Sequence, residues 1–561
     1  MTAHPSGTQA PLETDVLIAG GGPFGLMLAN ELGRLGVRSL LVEPKSGTAF
    51  NPQANATQAR TMEHFRRHGF ADEIRALGLP PDHPTDIAYF TRFSQHELAR
   101  LTLPTAREAA QAVKGTRGSW SAAELPHRVS QKFVEAVLLK HAQKWPTIDI
   151  RHGWQLTDFA ETAQGVTARI TSTDDQQMQQ VQARYLVGAD GARSMVRQQL
   201  GIAWQGSSGV RRQFMGGKMF AVYCRVPGFY EAFPHARAWM YVSVNPQRRS
   251  FMASVDGQSE FAFHAAIHDG EETDAWTEAD ARRVFAEAMG CELPIEVLSM
   301  QTWTAGHSLV AERFQQGRVF LGGDAVHLFT PTGGLGYNTA VEDAVNLGWK
   351  LAHVVQGRAP ARLLDSYEVE RKPLAERNTA YAKHFADSVG LFPATPELEA
   401  DTPAGAQARE AAAAHLGAHV RLEFNIPGVT FGGRYDGSPL IVPDGTSPPL
   451  DVPNEYIPTA TPGGRPPHVW LADGRSLYDA FHTGWTLLAP GPQPPLEEGG
   501  FVHAAQAAGL DLKAVHLDDS ELLALYEAPL ILIRPDHIVA WRGADESHAR
   551  QVLRACSGKK D

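Results

Sequence analysis

The stretch "TDVLIAGGGPFGLMLANELGRLGVRSLLVEP", Thr14 to Pro44, decides the fold of this chain. An apolar run precedes three glycines, apolar residues at helical spacing follow them, and a second apolar run ends at Glu43. This order predicts a strand, a glycine turn, a helix and a second strand. Together they form one βαβ unit, which belongs in a parallel sheet covered by helices.

The turn of this unit has the glycine spacing of a dinucleotide-binding loop. Gly20, Gly22 and Gly25 fit GxGxxG directly after the strand and directly before the helix. Such glycines allow a tight turn and let a pyrophosphate approach the amides at the helix N-terminus. Glu43 ends the second strand, where a carboxylate can accept hydrogen bonds from ribose hydroxyls. Glycine turns also occur for packing alone, and the motif does not separate flavin from nicotinamide cofactors.

Two later strands also end at an aspartate. "ARYLVGADGARSMVRQQLG" predicts a strand ending near Asp190, and "GRVFLGGDAVHLFTPTGGLGYNTAVEDAVNLGWKLA", Gly317 to Ala352, predicts one ending near Asp324. A glycine-rich turn and an amphipathic helix follow Asp324. A carboxylate there suits ribityl hydroxyls, and helix amides suit a pyrimidine oxygen. Asp324 alone fits a helix cap equally well, but the combination favours a flavin dinucleotide.

Composition limits the other classes of function. The chain has 561 residues, of which 43% are hydrophobic, so two or three domains are expected. A formal charge of −11 without a basic block argues against a nucleic-acid surface and leaves small molecules or proteins as partners. No apolar run approaches the roughly 20 residues of a membrane span, and the start "MTAHPSGTQAPLE" lacks signal-peptide features, so a cytoplasmic protein is expected.

No metal or disulfide chemistry is expected. Cys224, Cys291 and Cys556 are too widely spaced for a CxxC pair or a cysteine-based zinc site. The histidines that draw attention have no partner at metal-ligand spacing. They are His264, His268 and His327.

The middle and the end of the chain carry weaker patterns. Aromatic and polar residues alternate between about 203 and 300, which predicts antiparallel sheet. The alanine-rich segment "ATPELEADTPAGAQAREAAAAHLGAH", Ala394 to His419, predicts a linker or an exposed helix. A further domain is expected from near Arg421 onward.

These motifs resemble those of the class A flavoprotein aromatic hydroxylases, the group of para-hydroxybenzoate and phenol hydroxylases. The glycine loop matches the first fingerprint, "GADGARSMVR" (Gly188 to Arg197) matches the DG motif, and Gly317 to Ala352 matches the GD motif with its helix. "LLDSYEVERKP" (Leu363 to Pro373) also resembles that family. The late stretches "TPGGRPPHVWLADGRSLYDAF" and "LILIRPDHIVAWR" resemble the thioredoxin-like tail of its larger branch.

The resemblance implies an α/β fold in three parts. We expect a discontinuous Rossmann-like FAD-binding domain over residues 1–202 and 300–395, with an inserted antiparallel-sheet substrate domain over 85–127 and 203–299. A thioredoxin-like domain would cover 421–561. Because that tail lacks CxxC, a redox role is excluded. A structural role, with a homodimer formed through the tail, is expected, and a monomeric lid is the alternative.

The implied activity is hydroxylation of a phenolic or other activated aromatic substrate by FAD, NAD(P)H and O2 through a flavin C4a-hydroperoxide. No second GxGxxG follows a strand, so the nicotinamide must bind without a Rossmann domain of its own. Two alternatives stay open at this point. One is an FAD-dependent dehydrogenase or reductase without oxygen activation, and the other is a non-catalytic flavin-binding module.

The same resemblance assigns site residues. The catalytic set is Pro331, Gly333 and Asn55. The cofactor-binding set is Gly20, Gly22, Pro23, Phe24, Gly25, Glu43, Arg60, Gln131, Asp190, Gly323, Asp324, Pro331, Gly333, Gly334, Leu335 and Gly336. The sheet offers aromatic side chains to the substrate beside Asn55: Tyr223, Trp239, Tyr241, Phe251 and, less directly, Phe261. Arg193 and Arg197 would pair with phosphate or with Asp190, or form surface ion pairs.

Two positions depart from the family pattern. Gln53 stands where the family usually has an arginine, and Asn55 stands where phenol hydroxylases have an aspartate or histidine that deprotonates the substrate hydroxyl. Asparagine cannot act as that base at neutral pH. Another group must then do so, or the substrate is acidic enough already, or Asn55 only orients it.

Overall fold

A computed structural model describes residues 10–210, 212, 214–492 and 500–559. Residues 1–9, on which the signal-peptide prediction largely rests, lie outside this range. The strands, in chain order, are β1 (Leu12–Ala19), β2 (Ser39–Glu43), β3 (Ile87–Phe90), β4 (Glu97–Leu101), β5 (Ile148–His152), β6 (Trp154–Glu161), β7 (Val166–Ser172), β8 (Met178–Gly188), β9 (Trp204–Ser207), β10 (Gly217–Arg225), β11 (Met240–Ser243), β12 (Ser250–Ser254), β13 (Glu260–Ala266), β14 (Glu296–Ala305), β15 (Ser308–Ala311), β16 (Gln315–Gln316), β17 (Val319–Leu321), β18 (His327–Leu328), β19 (Trp485–Pro490), β20 (Leu512–Leu517), β21 (Leu530–Ile533) and β22 (Val539–Gly543).

The α-helices connect and cover these strands. In chain order they are α1 (Pro23–Arg34), α2 (Ala59–Arg67), α3 (Ala71–Arg75), α4 (Ala106–Ala112), α5 (Gln131–Ala142), α6 (Met195–Gln199), α7 (Phe229–Ala232), α8 (Glu278–Met289), α9 (Leu335–Val355), α10 (Ser366–Gly390), α11 (Pro403–Phe424), α12 (Pro427–Phe431), α13 (Gly500–Ala508), α14 (Ser520–Tyr526) and α15 (Ala549–Cys556).

The first sheet contains the predicted βαβ unit. Its strands lie in the order β16, β17, β8, β1, β2 and β5, and the hairpin of β6 and β7 extends from β8. The pairs β17–β8, β8–β1, β1–β2 and β2–β5 are all parallel. The strands that carry the three motifs are therefore neighbours, and their carboxyl ends meet at one edge of the sheet.

The second sheet takes strands from two distant segments of the chain. Its order is β14, β10, β13, β12, β11, β3 and β4, and every pair is antiparallel except β11–β3. The expected antiparallel sheet is thus mixed, because β3 enters it from the segment before α5. Helix α8 packs on one face, and the other face packs against α11.

Two smaller sheets complete the fold. One joins β18, β15 and β9, and the other joins β20, β19, β21 and β22 near the C-terminus. In the latter, β19 pairs parallel with β20 and antiparallel with β21, and α13, α14 and α15 accompany these strands. The predicted fold class, with a Rossmann-like domain, an inserted sheet and a thioredoxin-like C-terminal unit, is confirmed.

The alanine-rich segment is neither a linker nor an exposed helix. Helix α11 buries Ala412, Leu416 and Val420 in the same apolar cluster as Tyr89 and Trp239 of the second sheet. Small side chains let the helix approach the sheet closely, so the weak sequence pattern conceals a packed element. Arg421, where a domain boundary was expected, lies inside this helix.

The C-terminal unit is joined to the first sheet's helices by buried ion pairs. Arg534 Nη1 lies 2.7 Å from Glu370 Oε1 of α10, and Arg465 Nε lies 3.0 Å from Glu63 Oε2 of α2. All four side chains are almost completely buried. Among the residues that the structure describes, no helix combines the length and apolar character needed to cross a membrane.

Candidate cofactor and substrate site

The three sequence motifs come together at the carboxyl edge of the first sheet. Ala19, the last residue of β1, is paired with Gly188 of β8, and Gly188 is also paired with Leu321 of β17. These three residues form one row across the sheet. The glycine turn, Asp190 and Asp324 follow directly after it.

The glycines of the first turn have different roles. Gly20 has φ +119°, and a Cβ there would lie 2.1 Å from the Ala189 carbonyl oxygen. A Cβ on Gly25 would lie 2.0 Å from the Gly20 carbonyl oxygen. A Cβ on Gly22 would meet nothing within 4 Å, although Gly22 is the N-cap of α1. Gly20 and Gly25 are thus required by the chain itself, whereas Gly22 leaves space open at a helix N-terminus.

Pro23 and Phe24, next to these glycines, were predicted to bind the cofactor, and the structure gives their side chains different roles. Pro23 occupies the first turn of α1, where its missing N–H costs nothing. The Phe24 ring is buried and packs directly on Gly322, so that a Cβ on Gly322 would lie 2.1 Å from the ring. The Phe24 side chain therefore holds the first and third motifs together, and the predicted cofactor contact of this residue is left to its backbone N–H in the first turn of α1.

Glu43 is held at the end of β2 by backbone amides. Its Oε2 accepts a hydrogen bond from the Gly21 N–H at 2.7 Å, and its Oε1 accepts one from the Lys45 N–H at 3.0 Å. Each carboxylate oxygen keeps a further lone pair. The carboxylate is thereby fixed beside the glycine turn in an orientation that can accept from a diol.

Asp190 and Asp324 present acceptor capacity that the protein does not use. Asp190 Oδ2 accepts from the Val196 N–H at 3.0 Å, while its buried Oδ1 has no hydrogen-bond partner within the described residues. The Asp324 side chain is accessible to solvent, yet surrounding protein raises the pKa of its carboxyl and His327 opposes that effect. Asp324 is thus open to solvent on one side and enclosed by protein on the others, as expected for a carboxylate that lines a recess. These two acids and the open space at Gly22 fit the hydroxyls and pyrophosphate of FAD.

A buried network fixes the backbone before Asp324. Asp343 of α9 accepts at Oδ1 from Arg371 Nε (2.7 Å) and at Oδ2 from the Gly323 N–H (3.3 Å), and His327 Nε2 lies 2.7 Å from Oδ2. Burial alone would raise the pKa of Asp343, but Arg371 and His327 hold it below its usual range. Sequence analysis missed Asp343, although an acid in an apolar helix stretch was a visible signal.

The loop before α9 has the backbone that its glycines permit. Gly333 and Gly334 both have φ +63°, and Gly334 is the N-cap of α9. Pro331 is exposed, Leu335 is buried at the start of the helix, and Gly336 is half-buried. The exposed side of this loop can therefore face a ligand while Leu335 anchors it.

A second segment is fastened across this helix start and brings Asn55 to it. Asn338 accepts from the Gln58 N–H at 2.9 Å and donates to the Ala56 carbonyl at 3.0 Å. Gln58 in turn donates to the Gly333 carbonyl at 3.1 Å. Asn55, adjacent to Ala56, has a buried Oδ1 with no hydrogen-bond partner in the described parts of the chain. Its amide is positioned near the loop without being used by the fold.

An acid that sequence analysis missed also reaches this loop. Glu423 of α11 accepts at Oε1 from the Gly333 N–H, at 2.9 Å. Its Oε2 lies 2.9 Å from His419 Nε2, one helical turn earlier, and the His419 ring meets Tyr89 edge to face. Burial, and secondarily the Glu423 carboxylate, raise the pKa of Tyr89 well above its usual range. The histidine and acid at i, i+4 spacing are a signal in the sequence, but the alanine-rich pattern predicts a linker or an exposed helix there.

The aromatic residues predicted for the substrate divide between the two faces of the second sheet. On the face toward α11, Trp239 meets Phe424 edge to face at 6.3 Å, and Phe251 stacks on His264 at 4.5 Å. The Arg128 guanidinium lies 4.3 Å from the Trp239 ring and forms no ion pair with any described residue. This face is aromatic and carries an unpaired cation.

Tyr241 lies on the opposite face, and its predicted substrate contact is wrong. It is fully buried in the cluster beneath α8, where its ring contacts Phe229 and Phe233. Phe261 lies in the same cluster. Alternation along a strand defines two faces but does not reveal which face is covered by a helix.

Tyr223 shares the α11-facing side but lies toward α5. Its ring meets Phe50 at 5.6 Å, and its hydroxyl contacts Lys132 Nζ and the Glu260 carboxylate. The Tyr223 hydroxyl is thus already bonded within the protein.

Two further polar residues that were predicted to contact the cofactor also have partners within the protein. Arg60 donates from Nη1 to Glu63 (3.1 Å) and from Nη2 to the carbonyls of Asp536 and His537 (both 3.1 Å), so its guanidinium contacts the C-terminal unit. Its predicted place beside the cofactor stays a prediction. Gln131 donates to Glu135 Oε1 at 2.7 Å, and its N–H donates to Ala54, next to Asn55.

The arginines of the second motif differ from each other. Arg193 is exposed. Arg197 is buried, lies 4.1 Å from the Trp204 ring and donates to the carbonyls of Ala192 and Ala325. It therefore joins the second motif to the third and is not a surface ion pair.

Fold and site together define a flavoprotein, and comparison with known families agrees. The model of the FAD binding domain family matches residues 13–382. The model described as "Aromatic-ring hydroxylase, C-terminal" matches residues 459–559. The chain belongs to the class A flavoprotein aromatic hydroxylases, as its motifs predicted.

Individual relatives cover nearly the whole chain. The 2,4-dichlorophenol 6-monooxygenase of Delftia acidovorans is 31% identical over 95% of this chain and 95% of its own length. Aklavinone 12-hydroxylase RdmE of Streptomyces purpurascens is 32% identical, covering 96% of each. A solved ternary complex of aklavinone-11 hydroxylase with FAD and aklavinone has a TM-score of 0.81 and 30% identity, covering 98% of this chain and 100% of that one.

Proposed function

We propose that this protein is a single-component FAD-dependent monooxygenase that hydroxylates a phenolic or other activated aromatic ring with NAD(P)H and O2. The observation that carries the proposal is the junction at α9. Its N-terminal loop lies between a row of cofactor-fitting acids and the segment that carries Asn55. Relatives named for dichlorophenol and aklavinone support an aromatic substrate.

The residues of the sheet edge would hold FAD. The open space at Gly22 would receive the pyrophosphate at the N-terminus of α1, Glu43 would accept from the ribose, and Asp324 would accept from the ribityl chain. Asp190 would supply its unused oxygen to the same ligand. FAD, when bound, accepts electrons from NAD(P)H and activates oxygen.

The loop of Pro331 to Gly336 would line the flavin ring on the side facing the substrate. The apolar face of the second sheet and α11 would exclude water and orient the aromatic ring. Trp239 and Phe251 supply ring surfaces on that face, and Arg128 supplies a cation. The chain's contribution to hydroxylation is thus placement, exclusion of water and control of the substrate proton.

The division into domains and the assembly belong to the same proposal. We place the FAD-binding domain in 1–202 and 300–395 and the substrate sheet in 85–127 and 203–299. The C-terminal unit is moved to begin after α11. A homodimer and a cytoplasmic location remain our predictions for the active form.

Oxygen-isotope incorporation tests the activity. The purified holoenzyme should be given NADH or NADPH with a panel of phenols that includes 2,4-dichlorophenol, and nicotinamide oxidation and oxygen uptake should be recorded. A substrate should stimulate both, and under ¹⁸O₂ one labelled oxygen should enter the product. A substrate oxidised without label would indicate a dehydrogenase, and binding without turnover would indicate a flavin-binding module. Either result would contradict the proposal.

A further inference from the structure

A phenol hydroxylase needs a group that controls the substrate hydroxyl, and Asn55 cannot remove its proton. A phenolate donates electrons into its ring far better than a phenol does, so deprotonation prepares the ring carbon for oxygen transfer. The need for this group rests on the proposed function. Its candidates are the side chains at the α9 loop, where ring and cofactor would meet.

Glu423 is the titratable side chain bonded to that loop. Within the described residues, the partners of the Gly333 and Gly334 backbone are Gln58, Asn338 and Glu423. The two amides do not titrate at neutral pH. Glu423 therefore combines the required chemistry with the required place.

Neighbouring groups hold the Glu423 side chain in a fixed, buried position. Its residue is 7% exposed, the Gly333 N–H donates to its Oε1, and its Oε2 lies 2.9 Å from His419 Nε2. Each oxygen retains a lone pair with which to accept a further proton. His419 itself is 1% exposed, and neither of its ring nitrogens has a hydrogen-bond partner in the described chain. Glu423 and His419 are buried and keep hydrogen-bonding capacity that no described residue uses. Because they lie at the loop proposed to line the cofactor, this capacity is available for a bound ligand.

The other side chains around this pair do not compete for the role. Tyr89, from β3, packs against His419, and burial and Glu423 keep its pKa high, so it stays neutral. Phe385 of α10 lies against Gly333 and Phe424 follows Glu423 in the chain, and both are apolar. Arg128 is on the same face of the sheet but is a cation and cannot accept a proton.

We propose that Glu423 is the catalytic base that Asn55 cannot be, and that His419 is its positioning residue. The substrate O–H bond breaks, its electron pair stays on the phenolic oxygen, and the proton moves to the Glu423 carboxylate, which becomes neutral. The Gly333 N–H holds Oε1 by a hydrogen bond and the His419 ring lies beside Oε2, so the carboxylate keeps its orientation. Asn55 is left to orient the substrate by donating from its side-chain N–H to the phenolic oxygen.

The ionisation state of a bound phenol tests this proposal without turnover. Oxidised holoenzyme should be titrated with 2,4-dichlorophenol and with unsubstituted phenol, and the phenolate absorbance should be recorded over a range of pH. Wild type should bind the phenolate at a pH where free phenol is neutral. Glu423→Gln should bind the neutral phenol, and its kcat/KM for phenol should fall by about a hundredfold.

Controls separate a base from a structural residue. Glu410→Gln makes the same change on an exposed part of α11 and should leave the bound phenolate unaltered. Glu423→Gln should regain most of its activity with 4-nitrophenol, which ionises readily without a base, whereas a damaged fold would lose both substrates. His419→Gln should give a smaller loss of bound phenolate than Glu423→Gln, and it serves as the second variant if the latter loses FAD.

The outcomes distinguish this inference from the proposed function. If wild type inserts ¹⁸O but Glu423→Gln binds phenolate and turns over phenol as well as wild type, the base assignment is overturned and the monooxygenase proposal stands. If wild type binds phenolate through Glu423 but inserts no oxygen, the proposed function fails and the assignment of the base survives. Neutral phenol bound to wild type also overturns the inference.

Discussion

Carboxylates of one chemical type acquire different roles at this site because their neighbours differ. Asp343 is buried among Arg371, His327 and the Gly323 amide, so its acceptor capacity serves the fold. Asp324, at the end of the neighbouring strand, is accessible and surrounded by protein without any ion pair to a described residue. An acid that the protein positions and does not use is the better candidate for a ligand contact.

This contrast predicts the behaviour of Asp324→Asn. The substitution keeps the shape but removes the charge from hydrogen bonds worth about 1.5–3 kcal/mol, so FAD affinity should fall about tenfold or more. Flavin fluorescence during titration of the apoprotein measures the affinity. Asp72→Asn, on the exposed side of α3, is the matched control and should bind FAD like wild type. Unchanged affinity in folded Asp324→Asn would show that the acid is only a cap.

Elements with strong local signals were predictable from the sequence. Apolar runs and glycine turns predict strands β1, β8 and β17 and helices α1 and α9. Parallel pairing then predicts that the carboxyl ends of these strands meet at one edge of the sheet. Helix α11 was not predictable, because alanine packing leaves no apolar stripe and its contacts with β3 and β4 are distant in sequence. Glu423 was missed with it. Tyr241 was misplaced because a strand pattern does not show which face receives α8.

Substitutions in the turn between β1 and α1 should distinguish glycines that the fold requires from glycines that FAD binding requires. Gly25→Ala would place a Cβ against the Gly20 carbonyl, and this should destabilise the apoprotein and abolish FAD binding. Gly22→Ala meets no protein atom within 4 Å and has an ordinary φ of −77°. It should keep the melting temperature of the apoprotein and lose FAD affinity, because the methyl group occupies the space for the pyrophosphate.

Calorimetry on the apoprotein and flavin titration measure the two effects independently. Gly36→Ala provides a comparison at a glycine outside the turn between β1 and α1. A Cβ on Gly36 would also meet nothing within 4 Å, but because Gly36 has φ +73° the substitution should lower stability without changing FAD affinity. Full FAD affinity in Gly22→Ala would place the pyrophosphate elsewhere.

At the scale of the molecule, the C-terminal unit depends on charges buried against the rest of the chain. Glu370 of α10 accepts from both terminal nitrogens of Arg534, at 2.7 and 2.9 Å, and from Lys350 Nζ at 2.6 Å. Burial opposes ionisation of Glu370, but Arg534 and Lys350 hold its pKa far below the usual range. The group therefore stabilises the folded protein at neutral pH, and this contribution is lost as the pH falls through the folded pKa.

Removing one partner should show how firmly the unit is attached. Arg534→Met leaves Glu370 and Asp536 short of a buried cation, which costs roughly 3–5 kcal/mol of unfolding free energy. Urea denaturation of the apoprotein measures this loss, and Arg475→Met, which breaks an exposed pair with Asp473, should change stability little. A loss as small as that of Arg475→Met would mean that the unit is attached by its apolar contacts. Sedimentation of both variants would then show whether the predicted homodimer requires the same attachment. A C-terminal unit that is detached from the rest of its own chain cannot present a fixed surface to a second copy.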